Sequence, residues 1–336
     1  MGARRLVREG RLANPIAAPY TDSPPSLRFA SVANTEIFVE ARTEARPRSR
    51  GLPLVRDLVA LTKPRITSIV LVTGAAGACL APAHVAVRTL LLSLAGTALI
   101  VGSANALNMW WERDVDAHMA RTRNRPLPAG RMSPDVALAF GLALAVVSTP
   151  MLFLVNVTTG LLGLVALASY VTVYTPLKRH THLALLVGAV PGAMPPLMGW
   201  TTATGSIGLG GVLLFALLFL WQVPHFAAIT IFRVQDYARA GLMVVSVQRG
   251  EHGARRTIAT WTVLLVGASL LFVPLGLAGK AYLGVATVLG VGALALAFRG
   301  LLGGSRFDCP RWAKRVFAYS IPYLCILLVA LLLDRT

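Results

Sequence analysis

The chain has 336 residues, of which 55% are apolar and 14% charged, and its mean hydropathy is +0.66. This is too apolar for a soluble globular domain, and no period-two alternation supports a strand barrel. The formal net charge of +18 would suit nucleic acid, but the Lys and Arg residues sit between apolar runs, which excludes nucleic acid and makes membrane lipid the expected surroundings.

Residues 1–52 are rich in Arg, Pro, Ser and Ala and hold no long apolar stretch. They read as a disordered cytoplasmic tail rather than a secretory signal. Five acids within residues 1–50 argue against an organelle transit peptide, and Leu6 stands where a myristoylation signal needs Ser or Thr.

From residue 53 onward, nine apolar segments reach or approach the roughly 20 residues that cross a bilayer as helix. They cover about 66–82, 88–111, 135–155, 159–175, 183–200, 208–231, 257–275, 281–299 and 317–334. The expected class is all-α, a polytopic membrane domain of nine transmembrane helices over residues 53–336. Pro191, Pro195 and Pro196 predict a bent or broken fifth helix, tolerable only where protein or water covers the backbone. Loops after even-numbered segments hold seventeen Lys and Arg residues, whereas those after odd-numbered segments hold two, Arg88 and Lys280. The positive-inside rule then puts the N-terminus and the basic loops in the cytoplasm and the C-terminus outside. Cys79, Cys309 and Cys325 form no CxxC and read as free thiols.

Only eight acids lie beyond residue 57, and Glu112, Asp114 and Asp116 fall within five residues of one another. They belong to the stretch NMWWERDVDAHMARTRNRPLPAG (Asn108–Gly130), at the cytoplasmic end of the second segment. On a continuing helix Asn108, Glu112 and Asp116 stand at i, i+4 and i+8 and share a face, with Asp114 pointing away unless the helix has ended. Stacked oxygen side chains suit a hard cation such as Mg²⁺, which takes a few carboxylates and completes its shell with water or phosphate oxygens. A solvated loop entry is the plainer alternative. Arg121, Arg123 and Arg125 follow; topology accounts for each singly, but beside the carboxylates a metal-bridged phosphate explains them jointly. A weaker cluster, IFRVQDYARAG (Ile231–Gly241), brings Gln235, Asp236, Tyr237 and two arginines to the same side. Two polar clusters at the cytoplasmic ends of an apolar bundle imply an amphiphilic substrate, its phosphate head at the metal and its tail among the helices.

The Asn108–Gly130 stretch resembles the first Asp-rich motif, NxxxDxxxD, of the UbiA superfamily of intramembrane prenyltransferases. Within that superfamily it is most similar to the protohaem IX farnesyltransferases, with their NxxxExDxD and MxRTxxRPL. LTKPRI (Leu61–Ile66), YTPLKRHT (Tyr174–Thr181), GAVPGAMPPLMGW (Gly188–Trp200) and FLWQVPHF (Phe219–Phe226), followed by DYARAG, match the same family in order. The resemblance implies a UbiA-type bundle with a central cavity open to the cytoplasmic side. It implies Asn108, Glu112, Asp114, Asp116 and Asp236 as metal ligands, with Asn108, Glu112, Asp116 and Asp236 carrying catalysis. Lys63, Arg65, Arg121, Arg125, Lys178 and Arg179 become the diphosphate-binding cations, and His225 and Tyr237 the haem-binding residues. The activity implied is transfer of a farnesyl group from farnesyl diphosphate to a vinyl group of haem b, giving haem O, with Mg²⁺ as cofactor. The location implied is the inner (plasma) membrane, ahead of the mitochondrial inner membrane, with terminal-oxidase assembly factors as further partners.

The chain departs from the family pattern where Val234 and Gln235 replace a base and an acid, and where Ala184 replaces Asn. A catalytically weak, haem-handling homologue therefore stays open, as does an enzyme with a quinone precursor or chlorin as acceptor. A transporter stays open on membrane charges and broken helices alone. His225 reads either as a hydrogen-bonded bundle histidine or as a ligand to haem iron. His118 reads as solvated, His180 and His182 stand within reach of a haem propionate without being singled out, and Trp110 and Trp111 read as interfacial anchors.

Overall fold

The computed structural model describes residues 52–304 and 307–335, the side chain of Leu52 excepted, and every regular element among them is helical. The stretch 1–51, which includes almost all of the expected tail, lies outside the described residues. A short helix α1 (Leu52–Leu61) leads through a 47° bend into α2 (Pro64–Leu80). There follow α3 (Val87–Trp111), α4 (Arg113–Ala117), α5 (Pro134–Val155) and α6 (Val157–Ala168), the last continued by a π-helical turn (Ser169–Tyr174) and by α7 (Thr175–Leu177). The rest of the chain forms α8 (Ala184–Thr204), α9 (Leu209–Phe232), α10 (Val234–Arg239), α11 (Val245–Gln248), α12 (Gly250–Leu270), α13 (Lys280–Leu301) and α14 (Cys309–Leu333).

Capping chemistry sets several of the breaks. Ser133 accepts from the Val136 amide with Pro134 at the first helical position of α5, and Asp308 accepts from the Arg311 amide at the start of α14. Asn156 alone separates α5 from α6. Its extended backbone ends one helix, its side-chain Oδ1 accepts from Thr159 N at 2.8 Å, and its Nδ2 donates to Thr201 O at 2.9 Å, fixing the hairpin to α8.

Among the described residues six helices are long and apolar enough to cross a membrane: α3, α5, α6 with its continuation to Leu177, α9, α13 and α14; the bent pair α1–α2 makes a seventh. The chain is a multi-pass membrane protein, and exposed Leu142, Val146, Leu154, Val288 and Val291 give α5 and α13 apolar outer faces. Helices α8 and α12 fall outside that criterion for different reasons. Three prolines and three glycines lower the hydropathy of α8, whose composition answers to packing rather than lipid, since every residue from Ala193 to Thr202 is buried. Helix α12 opens with Glu251, Arg255 and Arg256.

Two sequence expectations are corrected here. Helix α8 is not broken: it runs unbroken through Pro191, Pro195 and Pro196, because neighbouring protein covers the backbone that these prolines leave short of donors. Helices α12 and α14 begin seven and eight residues before the expected apolar segments (250 against 257, 309 against 317). Hydropathy discounts Arg255, yet it is 2% exposed, pairing with Glu251 at 3.0 Å, donating to Gly303 O and lying 4.7 Å over the Phe307 ring.

The helices pack as two groups, α2, α3, α5, α6 and α8 in one and α9, α12, α13 and α14 in the other, joined by α8 on α9 and by α14 on α2. The tightest seam is α2 against α8. A Cβ on Gly77 would lie 2.0 Å from Pro196 O, and one on Gly199 would lie 1.8 Å from Gly74 O. Backbone therefore meets backbone, the small-residue contact that substitutes for hydrophobic driving force between membrane helices. Gly199→Val is expected to lower the unfolding free energy by about 1–3 kcal/mol or more, read as a fall in the thermal midpoint in detergent. Gly267→Ala, where an added Cβ meets nothing within 4 Å, should leave the midpoint unchanged or slightly raised.

Candidate active site

The polar cluster grows from the end of α3. Helix α3 stops at Trp111, and Glu112, at φ −96° and ψ 10°, serves as its C-cap and as the N-cap of α4. The hydrogen-bond ladder nevertheless continues through the break, from Glu112 N to Asn108 O at 2.9 Å and from Asp116 N to Glu112 O at 2.8 Å. Asn108, Glu112 and Asp116 thus stay in one column, 3%, 6% and 4% exposed. Asp114 is exposed and stands away from that column.

Each buried carboxylate meets a cation from another part of the chain. Lys178 Nζ lies 2.7 Å from Glu112 Oε2, which it hydrogen-bonds, and 2.7 Å from Oε1. Arg125 reaches Asp116 Oδ2 at 2.6 Å, and Thr122 Oγ1 donates to Asp116 O at 2.8 Å, fastening the loop that carries Arg125. Lys178 also sits 4.7 Å from the Tyr174 ring centroid. Lys63, at the bend between α1 and α2, adopts a left-handed backbone (φ 49°), strain of the kind that concentrates at functional sites. Its side chain keeps some exposed surface, but its ammonium is crowded. Burial and the nearby Arg125 and Lys178 cations press on it, and Asp116 and Glu112 pull the other way.

The π-helical turn sets the opposite wall. It ends at Thr175, whose hydroxyl donates to Tyr170 O at 2.8 Å and accepts from Asn108 Nδ2 at 3.0 Å. Asn108 Nδ2 spends its other proton on Glu112 Oε2 at 3.0 Å. The carboxylate and the hydroxyl both demand the NH₂ side of the amide, which leaves Asn108 Oδ1 as an acceptor. Glu112 Oε1 is buried and accepts no well-aligned hydrogen bond among the described residues, its charge being met by Lys178 Nζ at 2.7 Å. Asn108 Oδ1 is therefore left for a ligand that accepts lone pairs, and Glu112 Oε1 joins it only when Lys178 moves away.

The remaining candidate residues are placed as follows. Arg65, Arg121 and Arg179 are exposed. Asp236 lies on α10 and pairs with Arg233 at 3.5 Å, with Tyr237 half-buried beside it. This second cluster joins the first through the chain segment after α10, where Met243 N donates to Lys178 O at 2.9 Å. His225 lies within α9 against α14, its Nδ1 2.7 Å from Ser320 Oγ. His118 and His180 are exposed, and His182 is held by Gln248 Oε1 at 2.7 Å. Sequence reasoning missed Thr175 and the π-helical turn, although both lie in or beside the YTPLKRHT stretch; a π turn leaves no hydropathy signal.

Among the described residues no group of three or more His, Cys, Asp or Glu side chains stands together as a metal site. The donor set here is two carboxylates and an amide oxygen, all hard. It does not suit zinc, but it fits Mg²⁺, which takes one or two carboxylates and relies on substrate phosphates for the rest.

Paired carboxylates and cations gathered at one end of a helical membrane bundle define an integral-membrane protein equipped for a phosphorylated amphiphile. The chain belongs to the UbiA prenyltransferase family, whose model matches residues 70–321. The protoheme IX farnesyltransferase of Anaeromyxobacter sp. (strain Fw109-5) is 52% identical over 296 residues, covering 87% of this chain and 98% of its own. A solved digeranylgeranylglyceryl phosphate synthase superposes with a TM-score of 0.72 at 14% identity, covering 83% of this chain and 98% of its own. A UbiA homologue from Archaeoglobus fulgidus, solved with GPP and Mg²⁺, superposes with a TM-score of 0.59 at 14% identity, covering 82% and 99%.

Thr175→Val keeps the side-chain volume but strands an Asn108 amide proton in a buried site. The variant is expected to lose about 1–3 kcal/mol of stability, whereas Thr175→Ser, which keeps the hydroxyl, should not; thermal unfolding of the two side by side reads the difference.

Proposed function

We propose that the chain transfers the farnesyl group of farnesyl diphosphate to a vinyl group of haem b, giving haem O. The observation that carries this is the likeness to the Anaeromyxobacter farnesyltransferase, 52% identical over 98% of that protein's length, joined to the buried Asn108–Glu112–Asp116 column. The bundle sits in the inner (plasma) membrane with nine spans, α8 and α12 included, and the column opens to the cytoplasm. The basic loops support this orientation, since Arg125 and Lys178 belong to two of them.

Asn108 Oδ1, Glu112 and Asp116 would hold Mg²⁺, with Asp236 of α10 as a further ligand. Bound there, the ion supplies positive charge to the departing diphosphate. Lys63, Arg125 and Lys178 bind and neutralise phosphate oxygens, with Arg121 and Arg179 at the rim. The C1–O bond of the prenyl diphosphate breaks, diphosphate leaves with the bonding pair, and the vinyl carbon of haem attacks the allylic cation. Water then adds to the remaining cationic centre as hydroxyl and releases a proton. The apolar interior of the bundle would keep water from the cation until the vinyl group reaches it.

Two carboxylates face three basic groups in this cluster. Mg²⁺ alone thus meets no net negative charge, whereas Mg²⁺ with diphosphate brings anions that draw Lys178 and Arg125 off the carboxylates. Mg²⁺ alone should barely raise the thermal midpoint, and Mg²⁺ with inorganic diphosphate should raise it clearly. Lys178→Met should strengthen binding of Mg²⁺ alone by at least about tenfold.

The reading is tested by incubating membranes with haem b and farnesyl diphosphate and separating the products by mass. Farnesylated haem is expected, and Asp116→Ala should lower its formation by about 100-fold or more while the protein still inserts. A prenylated quinone precursor with no farnesylated haem would overturn the choice of acceptor.

A further inference from the structure

Helix α12 buries one side, through Ala254, Ile258, Thr262 and Leu265, and leaves the other uncovered. Along the uncovered side the chemistry changes in three bands. Arg249, His252 and Arg256 come first, exposed and spaced i, i+3 and i+7 so that they share a face. Thr257, Thr260 and Trp261 follow. Val263, Leu264 and Leu271 complete the face, 46%, 48% and 46% exposed. About 10 Å of helix rise separates Arg256 from Val263.

The first two bands line an open groove of about 770 Å³. A Cβ on Gly253 would lie 2.4 Å from Arg249 Cβ, so the glycine lets Arg249 lie along the helix. Trp261 is half-buried, its ring set edge-on to Phe219 of α9 at 6.0 Å. Thr257 spends its hydroxyl proton on Gly253 O at 2.9 Å. Glu251, the one acid in residues 249–261, is committed to Arg255 at 3.0 Å. Among the described residues no ion pair reaches Arg249 or Arg256. The first turns of a helix also carry the positive end of its dipole, which disfavours cations there. Topology asks only for basic residues in the loop; it does not line them up on one face above hydroxyls, an indole and then hydrocarbon.

We propose that this face of α12 binds an anionic phospholipid. Its phosphate lies between Arg249 and Arg256 beside His252, its ester oxygens stand at the depth of Thr260 and Trp261, and an acyl chain runs along Val263, Leu264 and Leu271. The order of the bands is the order of groups in the lipid, and basic clusters at the ends of membrane helices recognise anionic headgroups in this way. The apolar band favours a lipid over a free phosphate, which would use the arginines alone. The proposal rests on α12 being a membrane span and is independent of the acceptor.

The test is native mass spectrometry of purified full-length protein in detergent, with phosphatidylglycerol or phosphatidylcholine of identical chains added, beside product analysis with haem b and farnesyl diphosphate. Wild type should retain phosphatidylglycerol about tenfold or more tightly than phosphatidylcholine. Arg249→Gln/Arg256→Gln should bring the two lipids level, and Arg249→Lys/Arg256→Lys, which keeps both charges, should hold most of the preference. Thr260→Trp, which fills the groove and leaves the charges in place, should also lower retention of phosphatidylglycerol. Lys314→Gln/Arg315→Gln, which takes two charges from the exposed start of α14, should change nothing. A preference that survives Arg249→Gln/Arg256→Gln, or that falls equally in Lys314→Gln/Arg315→Gln, overturns the site. Inorganic phosphate that displaces phosphatidylglycerol at equal concentration would assign the groove to a free anion and overturn the lipid. Farnesylated haem formed by wild type without any lipid preference sinks this inference alone; a lipid preference without farnesylated haem sinks the proposed function alone.

Discussion

Two carboxylates buried against basic partners at the end of an apolar bundle constrain everything built around them. Glu112 and Asp116 are almost inaccessible to water, and a buried ion left without its partner costs about 3–5 kcal/mol. Their cations come from elsewhere in the chain, Lys178 from beyond α7 and Arg125 from the loop after α4. The fold must therefore bring three separate segments to one point. The resulting pairs fasten the three segments together. On the proposed function, a diphosphate would offer the lysine and arginine alternative partners and would free carboxylate oxygens for a divalent ion, so that the same charges would serve folding before substrate arrives and chemistry once it is bound.

The positioning is done by backbone as much as by side chains. The α2–α8 seam, where glycine faces carbonyl, sets the spacing of the helices behind the site. The π-helical turn shifts the register of the α6–α7 rod so that Thr175 meets Asn108 and Lys178 meets Glu112. In front, α1 is tied to the arginine-bearing loop by Asp57, 6% exposed, which accepts from Arg131 Nε and NH2 at 3.1–3.2 Å. Asn105 donates to Thr62 O beside the bend. Lys63 is held between these two fastenings in a conformation that a lysine adopts only when its neighbours dictate it.

Much of this was legible in the residues. Period and length of the apolar runs marked where helices would stand, because a lipid-facing helix must be apolar over its whole length. The i, i+4, i+8 spacing of Asn108, Glu112 and Asp116 survived a break in the helix because the hydrogen bonds continued through it. Hydropathy failed where protein replaces lipid as the neighbour. Arg255 is buried because Glu251, Gly303 and Phe307 receive it, and α8 runs through its prolines because packed helices cover it. The pairing of each acid with one particular base was not legible, since nothing local distinguishes Arg125 from Arg121 or Lys178 from Arg179; only the fold decides which is turned inward.

The most direct measurement is a structure of the protein with a non-hydrolysable farnesyl diphosphate analogue and Mn²⁺, the metal located by its anomalous signal. The account predicts an ion bonded to oxygens of Asn108, Glu112 or Asp116 and of the diphosphate, with Lys178 moved from Glu112 onto a phosphate oxygen. A diphosphate and metal bound elsewhere, with the Glu112–Lys178 and Asp116–Arg125 contacts intact, would contradict it.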